Sequence, residues 1–331
     1  MADLIREFCY YRPSQKNKRT MSSLTFQEIA VLWKADKRRW VKPSTYASYV
    51  NHVNKHLLPH FGALLPGQID EACVQAYVQR KLQKLSIGTL RDSLRVLKMI
   101  LHFGVRQCDW PRIDYEVHFP PSARKNRSVP VLAAADQRCL MDYLRGNFSF
   151  RNLGLLICLH SGLRVGEICG LQWKDLDMDA GVIRITKTVQ RIWLDDDNER
   201  SYQLSIASPK TASSAREIPI SRELMRLIRP LRKIMQPEYF VVSNAPFPLE
   251  PRYYRDYFRK LLLRLGLPPL RFHGLRHSFA TRCIESKCDY KTLSSILGHT
   301  SISTTLDLYV HPGFSEKKNV IEKMAKRVTM K

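Results

Sequence analysis

Residues 273–309 read HGLRHSFATRCIESKCDYKTLSSILGHTSISTTLDLY, and this stretch predicts three short helices joined by tight turns. Asp289 is placed to cap the second helix, and Gly298 is suited to end it. His299 would then stand at a helix end, and Tyr309 would lie in the last turn of the third helix. Side chains at helix termini can reach a ligand that mid-helix core residues cannot reach. The stretch therefore predicts a functional site.

Tyr309 also has a simpler interpretation. A tyrosine at helical spacing is an ordinary core aromatic in about nine cases of ten. The local sequence does not decide between the two interpretations. A chemical role for this tyrosine therefore depends on partners elsewhere in the chain.

The chain has 331 residues and carries 54 Lys and Arg against 30 Asp and Glu, a formal net charge of +24. Its hydrophobic content of 44% is that of a globular protein, and its length suits about two domains. The positive charge is spread along the whole chain, which predicts a polyanion such as nucleic acid as the partner. No apolar run approaches the ~20 residues of a membrane span, and no signal-peptide pattern opens the chain. We expect a soluble intracellular protein with no membrane partner.

The eight cysteines form no CxxC pair, and several stand among apolar neighbours, as buried reduced thiols do. A zinc site is one alternative, since the segment contains four ligand types, His273, His277, Cys283 and Cys288. A continuous helix through this segment would place them on different faces. We therefore predict no metal and no other cofactor.

Composition and periodicity divide the chain into four parts. Residues 1–22 predict a basic N-terminal arm, 23–109 a helical domain, 110–131 a basic Pro-rich linker, and 132–331 a second domain. Helices of the first domain are predicted to start near four residues, Thr25, Pro43, Asp70 and Ser86. Four helices in so short a segment predict a compact all-α domain.

Basic residues cluster on the fourth of these helices and in the linker. The helix has a stripe of positive charge with few acidic partners, and the linker adds three more cations. Together these are Arg91, Arg95, Lys98, Arg124, Lys125 and Arg127. Charged residues on a helix usually form a solvated face. Because nearly all of these charges are positive, contact with DNA phosphates is about equally favoured here.

The second domain is predicted to contain helices on both sides of a β region. Strands are expected between residues 182 and 220, with a hairpin around Asp195 to Asn198. The acidic tip could suggest a two-metal site, but consecutive carboxylates at a turn are better explained as a solvated loop. Residues 315–327 predict a terminal amphipathic helix. The fold class is thus mainly α with a small antiparallel β-sheet.

The residue types fit the cleavage of a phosphodiester by an oxygen nucleophile. Such a reaction places extra negative charge on two oxygens, which planar guanidinium groups such as those of Arg164 and Arg276 would stabilise. Lys210, in a turn between strands, could protonate the leaving oxygen. Tyr309 could be the nucleophile, helped by a nearby histidine and by the surrounding positive charge.

Five motifs appear in the order and approximate spacing of one known family. They are SGLRVGEICGLQWKDLD, SPKTASSAREIPI, HGLRHSFAT, ILGH and TTLDLYVH. In these motifs the chain resembles the tyrosine recombinase (phage integrase) family of site-specific recombinases. The resemblance covers residues from about 128 to 331, and the segment from about 24 to 108 is more loosely similar to the core-binding domain of that family. It implies a four-helix core-binding domain followed by a mixed α+β catalytic domain.

The resemblance also implies a role for each matching residue. Arg164 and Arg276 would clamp the phosphate, with Glu167 orienting Arg164. His273 would be the base and Lys210 the general acid, while His299 would hydrogen-bond the phosphate and Tyr309 would form a 3′-phosphotyrosyl link. His277 matches no catalytic position and is expected to pack against its neighbours or to support them.

Partners follow from the same resemblance. It implies double-stranded DNA with specific recombination sites, a homotetramer that exchanges strands through a Holliday junction, and a terminal helix that docks on a neighbouring subunit. The expected process is integration or excision of a mobile element at the bacterial nucleoid in the cytoplasm. An accessory DNA-bending or directionality factor is compatible with it. The N-terminal segment is shorter than in relatives that have an arm-binding domain, so arm sites are not expected.

Two other functions remain alternatives. One is DNA relaxation like that of a type IB topoisomerase, against which the ILGH and TTLDLYVH motifs argue. The other is a DNA-binding regulator that keeps the fold without catalysis. A silent binder has no need of Lys210, His299 and Tyr309 together, so the recombinase is favoured.

Overall fold

The computed structural model describes residues 24–120, 129–196, 199–208 and 215–309, and five helical positions beyond them, at 318, 321, 322, 324 and 325. The described chain is mainly helical with small antiparallel sheets, which confirms the predicted fold class. It divides into two units. The helical unit contains the described residues up to 120 together with those of 192–203, and the mixed unit contains the rest. The predicted N-terminal arm lies outside the described residues.

The helical unit has helices at each of the predicted starts. Its elements are α1 (Phe26–Trp40), α2 (Pro43–His52), a π-helical turn (Val53–Leu57), α3 (Leu58–Phe61), α4 (Glu71–Leu82) and α5 (Ile87–Gln107). Thr25 and Glu28 form the predicted capping box, in which the Thr25 backbone N–H donates to the Glu28 carboxylate at 2.7 Å. Asp70 and Ser86 accept from backbone N–H groups at the starts of α4 and α5. The fully buried side chains of this unit include Phe61, Tyr77 and Leu97.

Residues 110–120, where the sequence predicts a linker, pack onto the helical unit without forming a helix or strand. Trp110 and Tyr115 are buried in its core. The ring of Trp110 lies so close to Gly104 that a Cβ added there would be 3.0 Å from it. Gln75 and the backbone of His118 exchange two hydrogen bonds, of 3.1 and 3.2 Å. The helical unit therefore extends beyond residue 109.

The mixed unit begins with a helical layer and then alternates between strands and helices. Its elements are α6 (Ala134–Gly146), α7 (Phe150–Ser161), α8 (Val165–Gly170), β1 (Leu176–Asp177), β2 (Val182–Ile185), β3 (Thr188–Asp196), β4 (Glu199–Ala207), β5 (Arg216–Pro219), α9 (Arg222–Ile228), α10 (Pro251–Arg264), α11 (His273–Glu285), α12 (Tyr290–Leu297) and α13 (Ile302–Tyr309). The described residues of 192–203, which belong to β3 and β4, are part of the helical unit. Helix α7 is apolar around most of its surface and lies in the core, next to α11.

The three-stranded sheet has the order β1-β2-β5, and all its pairs are antiparallel. Ile183 pairs with Ile218, and both side chains are buried. Arg184 pairs with Glu217 on the opposite, more exposed face. Strands β3 and β4 form the predicted hairpin.

The predicted start and end of α12 are confirmed. Asp289 accepts from the backbone N–H groups of Lys291 and Thr292 at the start of α12, and Gly298 ends that helix with a φ of 64°. Gly162 ends α7 in the same left-handed conformation, with a φ of 67°. Beyond α13, the described positions at 318, 321, 322, 324 and 325 are helical, where a terminal helix is predicted. No helix in the described residues is both long and apolar enough to cross a membrane.

Helix α7 makes a close contact with Tyr254 of α10 at Gly154. A Cβ added at Gly154 would lie 2.5 Å from the hydroxyl oxygen of Tyr254, which donates a hydrogen bond of 2.7 Å to the Arg151 carbonyl. We expect Gly154→Ala to lower the free energy of unfolding by about 1–3 kcal/mol, because Tyr254 must move out of a packed core. Urea denaturation of the full chain measures this change.

Gly146 provides the matched control, because a Cβ added there meets no atom within 4 Å. Gly146→Ala should leave the unfolding free energy unchanged or slightly higher. Equal losses in the two variants would show that the contact with Tyr254 does not limit stability.

Candidate active site

Glu167 is the buried acidic centre of the site. The Arg164 backbone N–H, at the start of α8, donates to Glu167 at 2.9 Å, and the Arg164 guanidinium donates at 2.8 Å. Arg216, the first residue of β5, donates to both oxygens of the same carboxylate at 3.0 Å. Burial alone would raise the pKa of Glu167, but the hydrogen bonds and charges of Arg216 and Arg164 outweigh it and lower that pKa. Glu167 is therefore an ionised carboxylate that fixes two arginines.

Three arginines bind consecutive backbone carbonyls at the end of α12. Arg216 donates to the Ile296 carbonyl at 2.6 Å, Arg276 to that of Leu297 at 2.6 Å, and Arg164 to that of Gly298 at 3.2 Å. The last carbonyls of a helix have no partners within the helix and lie at the negative end of its dipole. The arginines donate hydrogen bonds to these carbonyls and place positive charge at the negative end of the helix. They therefore hold the end of α12 and its cap Gly298, which His299 follows directly.

Arg276 is the most buried of these cations, with 1% of the residue exposed. Besides the Leu297 carbonyl it binds the Gly162 carbonyl, at 3.0 Å, at the end of α7. Burial, and then the charge of Arg164, lowers its pKa to about 9. Among the residues that the structure describes, no carboxylate lies within ion-pair distance of Arg276, so this buried positive charge has carbonyl oxygens as direct partners and the charge of Glu167 only at longer range.

His273 and His299 are placed near the same arginines. His273 begins α11; desolvation of its ring and the charges of Arg276 and Arg164 lower its pKa. His299 shares a hydrogen bond of 2.8 Å with the hydroxyl of the buried Thr305. Burial, followed by the charge of Arg276, lowers the pKa of His299 to about 4. His299 is therefore neutral near neutral pH and adds no charge to the cationic site.

Tyr309 lies in the last turn of α13, as the sequence predicts. Its hydroxyl shares a hydrogen bond of 2.6 Å with Nδ1 of His277, and its ring packs in a small apolar cluster with Leu293 and Leu297. Burial raises the pKa of Tyr309, while the nearby charges of Arg276 and Arg164 oppose that rise. The tyrosine thus combines the core packing of the simpler interpretation with a polar contact in the site.

The structure brings together the predicted residues Arg164, Glu167, His273, Arg276, His299 and Tyr309 in one unit. Lys210 lies outside the described residues, as do Arg124, Lys125 and Arg127. Within the described part of the chain, no group of three metal-ligand side chains is placed to bind a metal ion.

The basic stripe of the helical unit is exposed on α5. Arg91 lies over the ring of Phe119 at 5.2 Å, and Lys98 lies over that of Tyr115 at 5.1 Å. Arg95 forms an exposed ion pair with Asp92 at 2.9 Å. The residues of 110–120 therefore support the two outer cations, and contact with DNA stays a prediction for all three.

Sequence reasoning missed two polar residues of the site, Arg216 and Thr305, and gave a third, His277, no catalytic role. Arg216 stands inside one of the quoted motifs, but nothing local distinguishes it from other basic residues of a strand. His277 is expected to pack against its neighbours or to support them. Its ring contacts that of His273, at 4.6 Å between centroids, and its Nδ1 shares a hydrogen bond with the Tyr309 hydroxyl. The position of His277 four residues after His273, on the same helical face, was the one available signal.

Comparison with known proteins gives a family match for each of two segments of the chain. Residues 131–316 match the model of the phage integrase family, and residues 25–82 match that of the phage integrase N-terminal SAM-like domain. The XerC-like tyrosine recombinase of Caldanaerobacter subterraneus subsp. tengcongensis is 24% identical over 85% of this chain and 77% of its own length. The ICEBs1 integrase of Bacillus subtilis is 27% identical over 50% of this chain, which spans only 45% of that relative.

Solved structures show the same fold. The Tn1549 transposon integrase, in complex with transposon right end DNA, has a TM-score of 0.69 and 21% identity, with 91% of this chain and 100% of that chain covered. A lambda integrase tetramer bound to a Holliday junction has a TM-score of 0.63 and 16% identity, with 95% and 86% covered.

The Glu167 contacts generate a prediction for stability. We expect Arg216→Met to lower the free energy of unfolding by about 3 kcal/mol, because it removes one partner of a buried carboxylate. Urea denaturation at neutral pH measures the loss. Arg184→Met is the control on the same sheet, since its ion pairs with Asp177 and Glu217 are exposed, and a much smaller change is expected there. Similar losses in both variants would contradict a special role for the buried pair.

Proposed function

Because the chain belongs to the phage integrase family, we propose that it is a tyrosine site-specific recombinase that cuts and rejoins DNA through a 3′-phosphotyrosyl intermediate. The family match includes Arg164, Arg276 and Tyr309. Relatives that are named as a tyrosine recombinase and as an integrase support the same reaction class. Tyr309 is the proposed nucleophile.

The buried guanidinium of Arg276 is the observation that carries this proposal. A cation that is 1% exposed loses most of its hydration, and burial of such a charge without an anion is costly. The two carbonyls that Arg276 binds offset part of that cost, and the lowered pKa reflects what remains. A phosphodiester between Arg276 and the half-exposed Arg164 would supply the missing negative charge.

The proposed reaction exchanges one phosphodiester for another. The Tyr309 oxygen attacks the phosphorus, the bond from phosphorus to the 5′ oxygen breaks, and a phosphotyrosyl ester forms in its place. The charge that develops on the two non-bridging oxygens is stabilised by Arg164 and Arg276, with His299 as a further hydrogen-bonding group. Attack by a 5′ hydroxyl on this ester reverses the step, so the ester energy is conserved and rejoining needs no ATP.

Two protons move in the proposed step. The leaving 5′ oxygen takes one proton from a general acid, a role that the family resemblance gives to Lys210. The tyrosine hydroxyl loses the other to a histidine of the site. The resemblance gives that role to His273, whose ring contacts that of His277, the hydrogen-bond partner of the hydroxyl in this structure. Because the pKa values of His273 and His299 are lowered, both imidazoles are neutral near neutral pH and can accept a proton.

The proposed partner is double-stranded DNA with specific recombination sites. The net charge of +24 favours a polyanion, and the Tn1549 integrase and lambda integrase structures contain DNA. The lambda integrase tetramer on a Holliday junction supports a homotetramer as the active assembly. The integrases among the relatives support integration or excision of a mobile element as the process. Exposed cations of α5, such as Arg91 and Lys98, are the proposed DNA contacts of the helical unit.

Replacement of the nucleophile tests the proposal directly. Fragments of the source genome that become covalently linked to the protein under denaturing conditions would be sequenced to obtain the cognate site. A nicked duplex of that site should then form a covalent adduct with the unaltered protein and none with Tyr309→Phe, while both bind the duplex equally well, because only the attacking oxygen is removed.

Tyr290→Phe is the matched control, because Tyr290 is an exposed tyrosine of α12. It should form the adduct at the unaltered rate. An adduct that persists in Tyr309→Phe would assign the nucleophile to another residue, and failure to link any genomic fragment would overturn the enzymatic function.

The second test concerns the phosphate clamp. We expect Arg276→Lys to slow cleavage about 30- to 1000-fold, on the order of 2–4 kcal/mol, because a point charge replaces a planar fork. DNA affinity should change much less, because other cations contribute to ground-state binding. Single-turnover cleavage and fluorescence anisotropy measure the two quantities, with the exposed Arg259→Lys as control. Equal losses in affinity and in rate would contradict a clamp that acts on the transition state.

A further inference from the structure

We propose that His277 is a positioning residue for the nucleophile, and that its Nδ1 accepts a hydrogen bond from the Tyr309 hydroxyl and keeps that oxygen beside the phosphate clamp. This role rests on the proposed function, since it is defined for attack by Tyr309. It assigns a task to a histidine for which the motif resemblance implies none.

The geometry places His277 at the junction of the site and the nucleophile. His277 is the neighbour of Arg276 on α11 and lies one turn after His273. Its Nδ1 lies 2.6 Å from the Tyr309 oxygen, and its residue is 9% exposed. Helix α11 is packed against α7, so the acceptor is fixed in the same rigid element as Arg276.

The protonation states are compatible with a hydrogen bond that Tyr309 donates to His277. Burial, with the neighbouring His273 and Arg276, lowers the pKa of His277 to about 4, so its ring is neutral near neutral pH. Burial raises the pKa of Tyr309, so the phenol keeps its proton. A neutral imidazole has one free lone pair, and a phenol O–H directed at Nδ1 uses it. The proton on the imidazole then occupies Nε2.

Helix α13 depends on such contacts more than other helices of the unit. Thr305 is its one fully buried residue, and the residues from 301 to 304 are exposed. In the described part of the chain, two side-chain hydrogen bonds connect α13 to the site, from Thr305 to His299 and from Tyr309 to His277. The ring of Tyr309 packs against apolar neighbours, which offer no hydrogen-bond partner to its hydroxyl and leave the O–H torsion undetermined. His277 supplies the directional contact.

The bond also distinguishes His277 from an ordinary packed histidine. If the ring only filled space, an apolar side chain of similar size would replace it at little cost. If Nδ1 orients the hydroxyl, a substitute must present an acceptor near the same point. The Oδ1 atom of asparagine can occupy about the position of Nδ1, whereas leucine fills the volume without any acceptor.

The test therefore compares His277→Asn with His277→Leu in the full chain. We expect the leucine variant to cleave a nicked cognate duplex about 10- to 100-fold more slowly, with DNA affinity within about twofold of the unaltered protein. The asparagine variant should recover most of the lost rate. Urea denaturation of both variants shows whether they are folded at the temperature of the assay.

A second measurement on the free protein does not require cleavage. The chain is labelled with ¹³C at Cζ of tyrosine, and the Tyr309 signal is assigned by its loss in Tyr309→Phe. That signal should move in His277→Leu and stay near its original position in His277→Asn, since the Cζ shift responds to hydrogen bonding at the hydroxyl.

The outcomes separate this role from the proposed function. If the unaltered protein forms no adduct on any DNA, the recombinase function and the role of His277 fall together. If adducts form at equal rates in all three proteins, only the role of His277 is overturned. Equal losses of cleavage rate in the asparagine and leucine variants also overturn it. So does a Tyr309 Cζ signal that stays in place in both variants.

Discussion

The ion pairs of Glu167 are the interaction on which the site depends. Its carboxylate is buried, and two guanidinium groups, from Arg164 and Arg216, bind it from different segments of the chain. A buried carboxylate without those partners would be strongly unfavourable, so the three residues occupy one arrangement. Through Arg164 and Arg216 the same carboxylate fixes the donors that bind the Ile296 and Gly298 carbonyls.

This arrangement leaves the site with an excess of positive charge. Glu167 compensates for part of the positive charge of Arg164 and Arg216. In the described structure the direct partners of Arg276 are carbonyl oxygens. His277 and His299 are neutral near neutral pH, because burial and the neighbouring positive charges lower their pKa values. The site therefore combines a strong preference for an anion with neutral imidazoles that can accept protons, which suits a phosphodiester as the ligand.

Tyr309, the proposed nucleophile, is connected to this framework by fewer contacts. Helix α13 has little buried surface, and its connection to the site relies on polar contacts of Thr305 and Tyr309. The arginines are fixed by buried ion pairs and carbonyl contacts, whereas α13 has one buried residue and two side-chain hydrogen bonds to the site in the described structure. In the present structure Tyr309 rests against His277, beside the clamp of its own chain.

The sequence by itself determined the features that depend on neighbouring residues. The caps at Thr25, Asp289 and Gly298 lie where they were predicted, and so does the β3-β4 hairpin, because capping and turn formation need only residues a few positions apart. The motifs also indicated which residues would form the site, through resemblance to a family.

Only the tertiary structure decided which side chains meet. The bond between His277 and Tyr309 joins residues 32 positions apart, that between Arg216 and Glu167 spans 49, and that between Arg276 and Gly162 spans 114. Hydrogen bonds between Gln75 and His118, 43 positions apart, likewise attach a segment with linker composition to the core of the helical unit. Such contacts depend on how whole helices pack, and no local pattern of the sequence specifies that geometry.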